Sequence, residues 1–251
     1  MSADDAVLAA SLVRDAGRLA ARMRARGLDV ARKTSITDVV TDADRAAEKL
    51  VGERLAAQRP ADGVVGEEGT TVPGGRTWFV DPVDGTYNFL SGLSEWCSAL
   101  ALADGEDLLL GAVYRPATDE LWLGGRDLPA TCNGTPLPAL VPRPLAEISL
   151  ATYLHPGALR DGGVREPLLR AVAGAATLRM FGSGSVELAA VAAGRLGAWL
   201  HVATPDWDWL PGAALVRAAG GVAEVFEAGG RRWHVAGNAR AVAEITALVV
   251  G

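Results

Sequence analysis

Cysteine, lysine and long apolar runs are what this sequence has little of. The 251 residues include 2 cysteines, Cys97 and Cys132, with no C-x-x-C spacing. That excludes a disulfide framework and fits a reducing compartment. Lysine and arginine total 24 against 30 acidic residues, a formal charge of −6. No overall surplus of positive charge is present to hold nucleic acid. No apolar run reaches the ~18 residues of a membrane span. The first residues, MSADDAVLAASLVRDAGRLA, open acidic and lack the positive start and continuous apolar core of a signal peptide. Together these absences predict a soluble cytoplasmic protein with no membrane or nucleic-acid partner. The scarcity of lysine beside abundant Ala, Gly and Arg reflects genomic base composition rather than function.

What is present supports a sizeable core. The apolar fraction is 49%, and the length suits one large domain or two small ones. Apolar residues recur at helical spacing from Ser2 to Arg26, with Ser2 and Asp5 in capping-box spacing and Gly27 as a stop. A second helix is predicted from Thr41 to Gln58. GVVGEEG (63–69) reads as a short strand entering a polar turn, and TWFVD (77–81) as a strand that Pro82 ends. Runs at 96–103, 108–114 and 120–123 predict consecutive strands of one sheet. Asn133-Gly134 marks a turn, and four prolines between 136 and 144 mark a connection. Beyond it, strands are predicted at 148–153, 176–181, 198–202 and 221–226. They alternate with helices at 164–173, 185–193, 209–219 and 239–249. The alternation predicts a layered α/β protein in two parts, 1–140 and 141–251.

The informative residues are acids at element boundaries. WFVDPVDGTYNF (78–89) sets Asp81 and Asp84 three residues apart, close enough to repel. Gly85 permits a tight turn, and Thr86 can cap a following helix whose first N–H groups would cradle an anion. A divalent cation between the carboxylates and a phosphate would cancel the repulsion. An all-oxygen donor set favours Mg²⁺ over Zn²⁺. Each acid also has a bland reading. Asp-Pro and Asp-Gly form turns, and Glu67 with Glu68 can be a solvated loop. Asp44 can be the capping-box partner of Thr41, while Asp206 and Asp208 suit a helix N-terminus. Four such places together, each at the edge of an element, are harder to explain that way.

With these motifs in hand, the sequence resembles the inositol monophosphatase family of Mg²⁺-dependent, lithium-sensitive phosphatases. WFVDPVDGTYNF meets its first signature and WDWLPGAALVRAAGG its second. GEEG, KTSITDVVTDAD (33–44), CNGTPL and RMFGSGSVELAAVAAGRLGAWL (179–200) follow in the family's order, so the resemblance covers essentially the whole chain. It implies a layered αβαβα fold and a phosphomonoesterase that acts on a small phosphorylated metabolite. Glu67, Asp81, Asp84 and the Val83 carbonyl would hold the first metal ions, and Asp84 with Asp208 a second. Two cations about 3.5–4 Å apart would clamp the phosphate. A metal-activated water would be the nucleophile, with Asp44, Thr86 and Glu67 as the catalytic residues. The N–H groups of Gly85 and Thr86 would hold the phosphate. Ser183, Ser185, His201 and Asp208 would line the substrate site, and Glu68 and Lys33 would stand behind the ligands. No nucleophilic side chain is required, because phosphoryl transfer needs mostly positioning and charge neutralisation. The family also implies a homodimer.

Three positions depart from the family. A Glu that contacts sugar hydroxyls in inositol phosphatases falls six residues before the motif Trp; here that position is His201. Ser91 replaces a common His or Arg, and Tyr87 replaces a small residue beside Thr86. These changes bear on the leaving group and leave the metal chemistry intact. Inositol 1-phosphate is the default substrate. Histidinol phosphate, fructose 1,6-bisphosphate and 3′-phosphoadenosine 5′-phosphate are the alternatives. A catalytically silent metal-binding protein should lack one of the acids, and none is missing. Haloacid dehalogenase phosphatases also carry an Asp pair before Gly-Thr, but theirs stand two apart near the N-terminus. His155 and His234 have no metal-ligand spacing and are expected in loops or at the surface. Trp207 and Trp209 are expected to pack around Asp208.

Overall fold

The computed structural model describes residues 3–27, 30–32 and 39–251; side chains at 3, 30–32 and 39–40 are not described. Lys33 and Ser2 lie outside the described residues. The first part runs α1 (Ala3–Arg26), β1 (Val30–Arg32), β2 (Val39–Thr41), α2 (Asp42–Gln58), β3 (Gly63–Gly66), β4 (Thr71–Val72), β5 (Thr77–Asp84) and α3 (Thr86–Leu90). It continues through β6 (Cys97–Asp104), β7 (Asp107–Arg115), β8 (Glu120–Gly125), β9 (Leu128–Cys132) and β10 (Thr135–Pro136). After the proline-rich segment come β11 (Ser149–Ala151), α4 (Gly162–Gly174), β12 (Thr177–Arg179), α5 (Gly184–Ala192) and β13 (Ala198–Val202). The chain closes with α6 (Asp206–Ala218), β14 (Val222–Ala228), β15 (Arg231–Gly237) and α7 (Ala239–Val250).

Two larger sheets result. One has eight strands in the order β10-β9-β8-β7-β6-β5-β3-β4, and the other five in the order β12-β11-β13-β15-β14. Helices α1 and α2 cover one face of the first sheet, α5 and α6 lie between the sheets, and α4 and α7 cover the far face of the second. Three hydrophobic clusters fill the spaces between these five layers. The central one draws Val113 and Trp122 from the first sheet, Leu188 and Leu215 from the helices, and Trp199 and Ala236 from the second sheet. Helices on both faces explain why β6 reads as an unbroken apolar run: seven of its residues in a row are buried. The αβαβα layering is the expected one.

Several local expectations needed correction. Pro82 does not end β5. The strand continues to Asp84 through a bulge, with Asp81 opposite Ala99 and Asp84 opposite Cys97. One extra residue sits on the β5 side, where a proline without an N–H is tolerated and the side chains are re-aimed. The Pro82 carbonyl is used instead, accepting the Ser98 hydroxyl at 2.5 Å. His234 is not a loop residue; it is fully buried in β15, a strand absent from the sequence reading. Gly229 and Gly230 join β14 to β15 with positive φ at both positions, the two-residue hairpin signal that could have revealed it. Asp5 is committed to ion pairs with Arg59 at 2.8 Å and Arg76 at 2.9 Å.

Helix α6 is seated without clearance. A Cβ on Gly212 would stand 2.2 Å from the Leu188 Cβ of α5, and one on Gly111 of β7 would stand 2.1 Å from the Pro211 carbonyl. Only hydrogen fits at either crossing.

Candidate active site

Strand β3 runs parallel to residues 77–80 of β5, so GEEG and the bulged DPVD end of β5 emerge side by side. Glu48 of α2 holds the GEEG turn. It accepts the N–H of Glu68 at 2.7 Å and of Thr70 at 2.9 Å, and it is buried. The Glu67 N–H bonds the Val80 carbonyl at 3.1 Å, which ties the turn to β5. Sequence reasoning missed Glu48, because its role is to accept backbone N–H groups 20 and 22 residues away.

Asp81 accepts the Val83 N–H at 3.0 Å within the bulge. Gly85 takes φ 96° and is the N-cap of α3, so Thr86 is the first helical residue rather than the cap. The Thr86 hydroxyl donates to the Val83 carbonyl at 3.2 Å, leaving its lone pairs to accept. Asn88 fastens α3 to the approach to α5, donating to the carbonyls of Glu95 and Phe181, both at 2.6 Å. Asp44 is fully buried as the capping-box partner of Thr41, the bland reading of that acid. Ser183 and Ser185 are buried at the start of α5, where Ser183 is the N-cap.

The N-terminus of α5 meets Asp84. Its carboxylate accepts the Ser185 N–H at 2.5 Å. Burial pushes the Asp84 pKa up, and the Ser185 N–H, the neighbouring serine hydroxyls and the Gly184 N–H pull it partly back. Asp208 in the first turn of α6 is pushed up to about 7, by burial and then by the charge of Asp84. Asp81 is held well above the usual carboxylate range by burial and then by Glu67, Asp84 and Asp208. Asp81 and Asp208 each raise the cost of charging this centre, so the acids gain from any positive charge placed among them.

A cavity of about 300 Å³ opens over this centre. Glu67, Asp84, Gly85, Thr86, His201 and Asp208 are among its lining residues. Asp44, Asp81, Val83, Ser183, Ser185 and Glu68 are not. Among the described residues, no Lys or Arg lines it. The walls also include Trp199 and Tyr153, beside His201. Trp209 is buried next to Asp208 and stacks on Trp199 with centroids 5.8 Å apart; Trp207 is half-buried. Cys97 is buried, and burial pushes its thiol well above the ordinary value, so it offers no thiolate. His155 caps a short 3₁₀ turn through Gly157 at 3.1 Å.

These acids fit a cation. Four carboxylates sit within electrostatic reach of one another and all the donors are oxygen. The fit is one of charge: among the described residues, no three His, Cys, Asp or Glu side chains already form a metal cluster.

The sequence model of the inositol monophosphatase family matches residues 3–248. The chain belongs to this family. An inositol-1-monophosphatase of Rhizobium meliloti is 35% identical over 225 residues, covering 88% of this chain and 82% of that one. A histidinol-phosphatase of Mycobacterium tuberculosis is 43% identical over 129 residues, about half of each chain (50% and 49%). The crystal structure of the extragenic suppressor protein SuhB from Bartonella henselae superposes with a TM-score of 0.87 at 29% identity, covering 96% of each chain. As an inositol monophosphatase family member, the chain is a phosphatase that hydrolyses phosphomonoesters. Among the described residues, no helix is long and apolar enough to cross a membrane.

Proposed function

We propose that the chain is a Mg²⁺-dependent phosphomonoesterase for a small metabolite, with inositol 1-phosphate as the reference substrate. The observation that carries this reading is that Glu67, Asp84 and Asp208 line one cavity, within repulsive reach of the buried Asp81, with no Lys or Arg lining it among the described residues. Glu67, Asp81, Asp84, Asp208 and the Val83 carbonyl would hold the metal, which supplies charge neutralisation for the phosphate and a more acidic water. Residues 1–140 would then supply most ligands and 141–251 would add Asp208.

The chain's own groups do the rest. The N–H groups of Gly85 and Thr86 would hold phosphate oxygens. Thr86, its own proton spent on Val83, accepts a hydrogen bond from the attacking water and so orients it. Glu67, which lines the cavity, is the nearer candidate proton acceptor; Asp44, the other, is buried in the capping box of α2. Water oxygen bonds to phosphorus, the ester P–O bond breaks, and the departing alkoxide takes up a proton.

A second substrate reading has its own support. His201 replaces an acid, and its buried imidazole stays neutral, its pKa lowered to about 4 by burial. That removes an anionic partner for the ring hydroxyls of inositol 1-phosphate and sets a neutral ring where the imidazole of histidinol phosphate could stack. The test is phosphate release from both esters, with and without Mg²⁺, alongside Asp84→Asn. Mg²⁺-stimulated release that the variant lacks supports the reading. Release that is indifferent to Mg²⁺ and to the variant would overturn it.

A further inference from the structure

The cavity beside the carboxylates is walled by rings. Tyr87 of α3, Tyr153 just after β11, and Trp199 and His201 of β13 all line it. The His201 imidazole lies 5.6 Å from the Trp199 ring and 6.1 Å from Tyr153, centroid to centroid, tilted 41° to each. Its Nδ1 is joined to the Thr204 hydroxyl at 2.8 Å, which fixes the ring plane. Tyr87 and Tyr153 are 44% and 39% exposed, and both line the cavity.

Two kinds of leaving group find little here. Among the described residues no guanidinium or ammonium lines the walls, so a second phosphate would lack its usual partner. Two of the neutral polar side chains next to the rings are already committed. Thr204 serves His201, and the Asn88 amide serves two backbone carbonyls. A polyhydroxylated leaving group would give up water at every hydroxyl and would meet mostly ring surface on this side of the cavity. A flat ring has fewer polar groups to dehydrate and gains face or edge contact with the aromatic walls. A cationic ring gains more, from the electron-rich tyrosine faces.

We propose that this site selects a monoester with a single phosphate and a leaving group that carries a flat unsaturated ring, such as an imidazole or a phenyl, read by Tyr87, Tyr153 and His201. The inference rests on the phosphatase reading above and adds the substrate class to it. The chemistry is unchanged: water replaces the ring-bearing alcohol on phosphorus.

The experiment compares kcat/KM of the full chain in Mg²⁺ for five esters: histidinol phosphate, benzyl phosphate, inositol 1-phosphate, glycerol 2-phosphate and fructose 1,6-bisphosphate. Tyr153→Ala and Tyr87→Ala are measured in parallel, with circular dichroism to show that each is folded. Both ring esters are expected to exceed the polyol esters and the bisphosphate by about tenfold or more. Each tyrosine variant is expected to lower the ring-to-polyol ratio by about three- to tenfold, chiefly through KM of the ring ester. Preference for inositol 1-phosphate or the bisphosphate overturns this inference and leaves the phosphatase reading standing. A ratio unmoved in folded variants also overturns it. Release from none of the five sinks the phosphatase reading and this inference with it.

Discussion

The Asp84 carboxylate accepts the Ser185 N–H at 2.5 Å across 101 residues of chain. The bulged end of β5 and the first turn of α5 are thereby pinned to each other, one from each sheet's side of the molecule. Asp84 is steadied by a helix N-terminus while it faces Asp208 from another helix.

Asp84→Asn keeps the side chain's size and removes its charge. Phosphate release is expected to fall at least about a hundredfold, and Mg²⁺ binding measured by calorimetry should weaken with it. Unimpaired Mg²⁺ binding would remove Asp84 from the ligand set.

Chelation tests the cation from the stability side. A ligand that binds the folded chain stabilises it by mass action. Adding excess Mg²⁺ to EDTA-treated protein should raise the unfolding temperature, and Asp81→Asn should reduce that gain. An unfolding temperature indifferent to Mg²⁺ in the wild-type chain would contradict a cation at these acids.

Glu48 predicts a defect without touching the cavity walls. Glu48→Ala frees the N–H groups of Glu68 and Thr70 and loosens the turn that carries Glu67. The concentration of Mg²⁺ needed for half-maximal activity should rise about 10–100-fold. Glu48→Gln, which keeps one acceptor oxygen, should lie between the two. Equal behaviour of both variants and the wild type would show that the turn stands without Glu48.

Glu187 of α5 accepts the Phe181 N–H at 2.5 Å and the buried Trp199 indole N–H at 2.9 Å. Burial pushes its pKa up to about 8. Glu187→Leu leaves both donors without that acceptor, a loss of about 1–3 kcal/mol. Urea unfolding reads it, and Glu187→Gln should recover much of it.

His234 makes stability depend on pH. Burial, then Arg232 and His201, lower its pKa from 6.5 to about 4, while the unfolded chain keeps the ordinary value. Between those values the unfolded state binds the extra proton. Stability is therefore full above about pH 6.5 and is lost as pH falls toward about 4. His201 carries the same sign. Urea midpoints from pH 7.5 to 4.5 should drop less steeply in His234→Phe than in the wild type. Parallel curves would show that His234 is not the titrating group.

Much of this was legible in the sequence because one physical pattern governed it. Leu8 and Leu12 repeat at the helical period and are buried, although Val7 beside them is exposed, and 198–202 is both the predicted strand and β13. Thr41 and Asp44 formed the capping box their spacing announces. The acids are legible too, since repulsion between neighbours demands an explanation. What stayed hidden depends on partners far along the chain. Pro82 survives in a strand because β6 accommodates a bulge, and RRWHVAG becomes a buried strand because β13 and β14 flank it. Glu48, Asn88 and Glu187 act on backbone or indole groups that no local pattern links to them. Ser183 and Ser185, expected on the substrate, are buried beside Asp84.

Helix α6 behaves as a lever with two fulcrums. Gly212 bears on Leu188 and Pro211 bears on Gly111, and Asp208 lies about one turn from both contacts. A methyl group added at Gly111, on the opposite sheet, must tilt or lift the helix, because the neighbour it meets is backbone. The displacement arrives at Asp208. Inactivating changes in this phosphatase therefore extend beyond its cavity, to a strand glycine with no chemistry of its own.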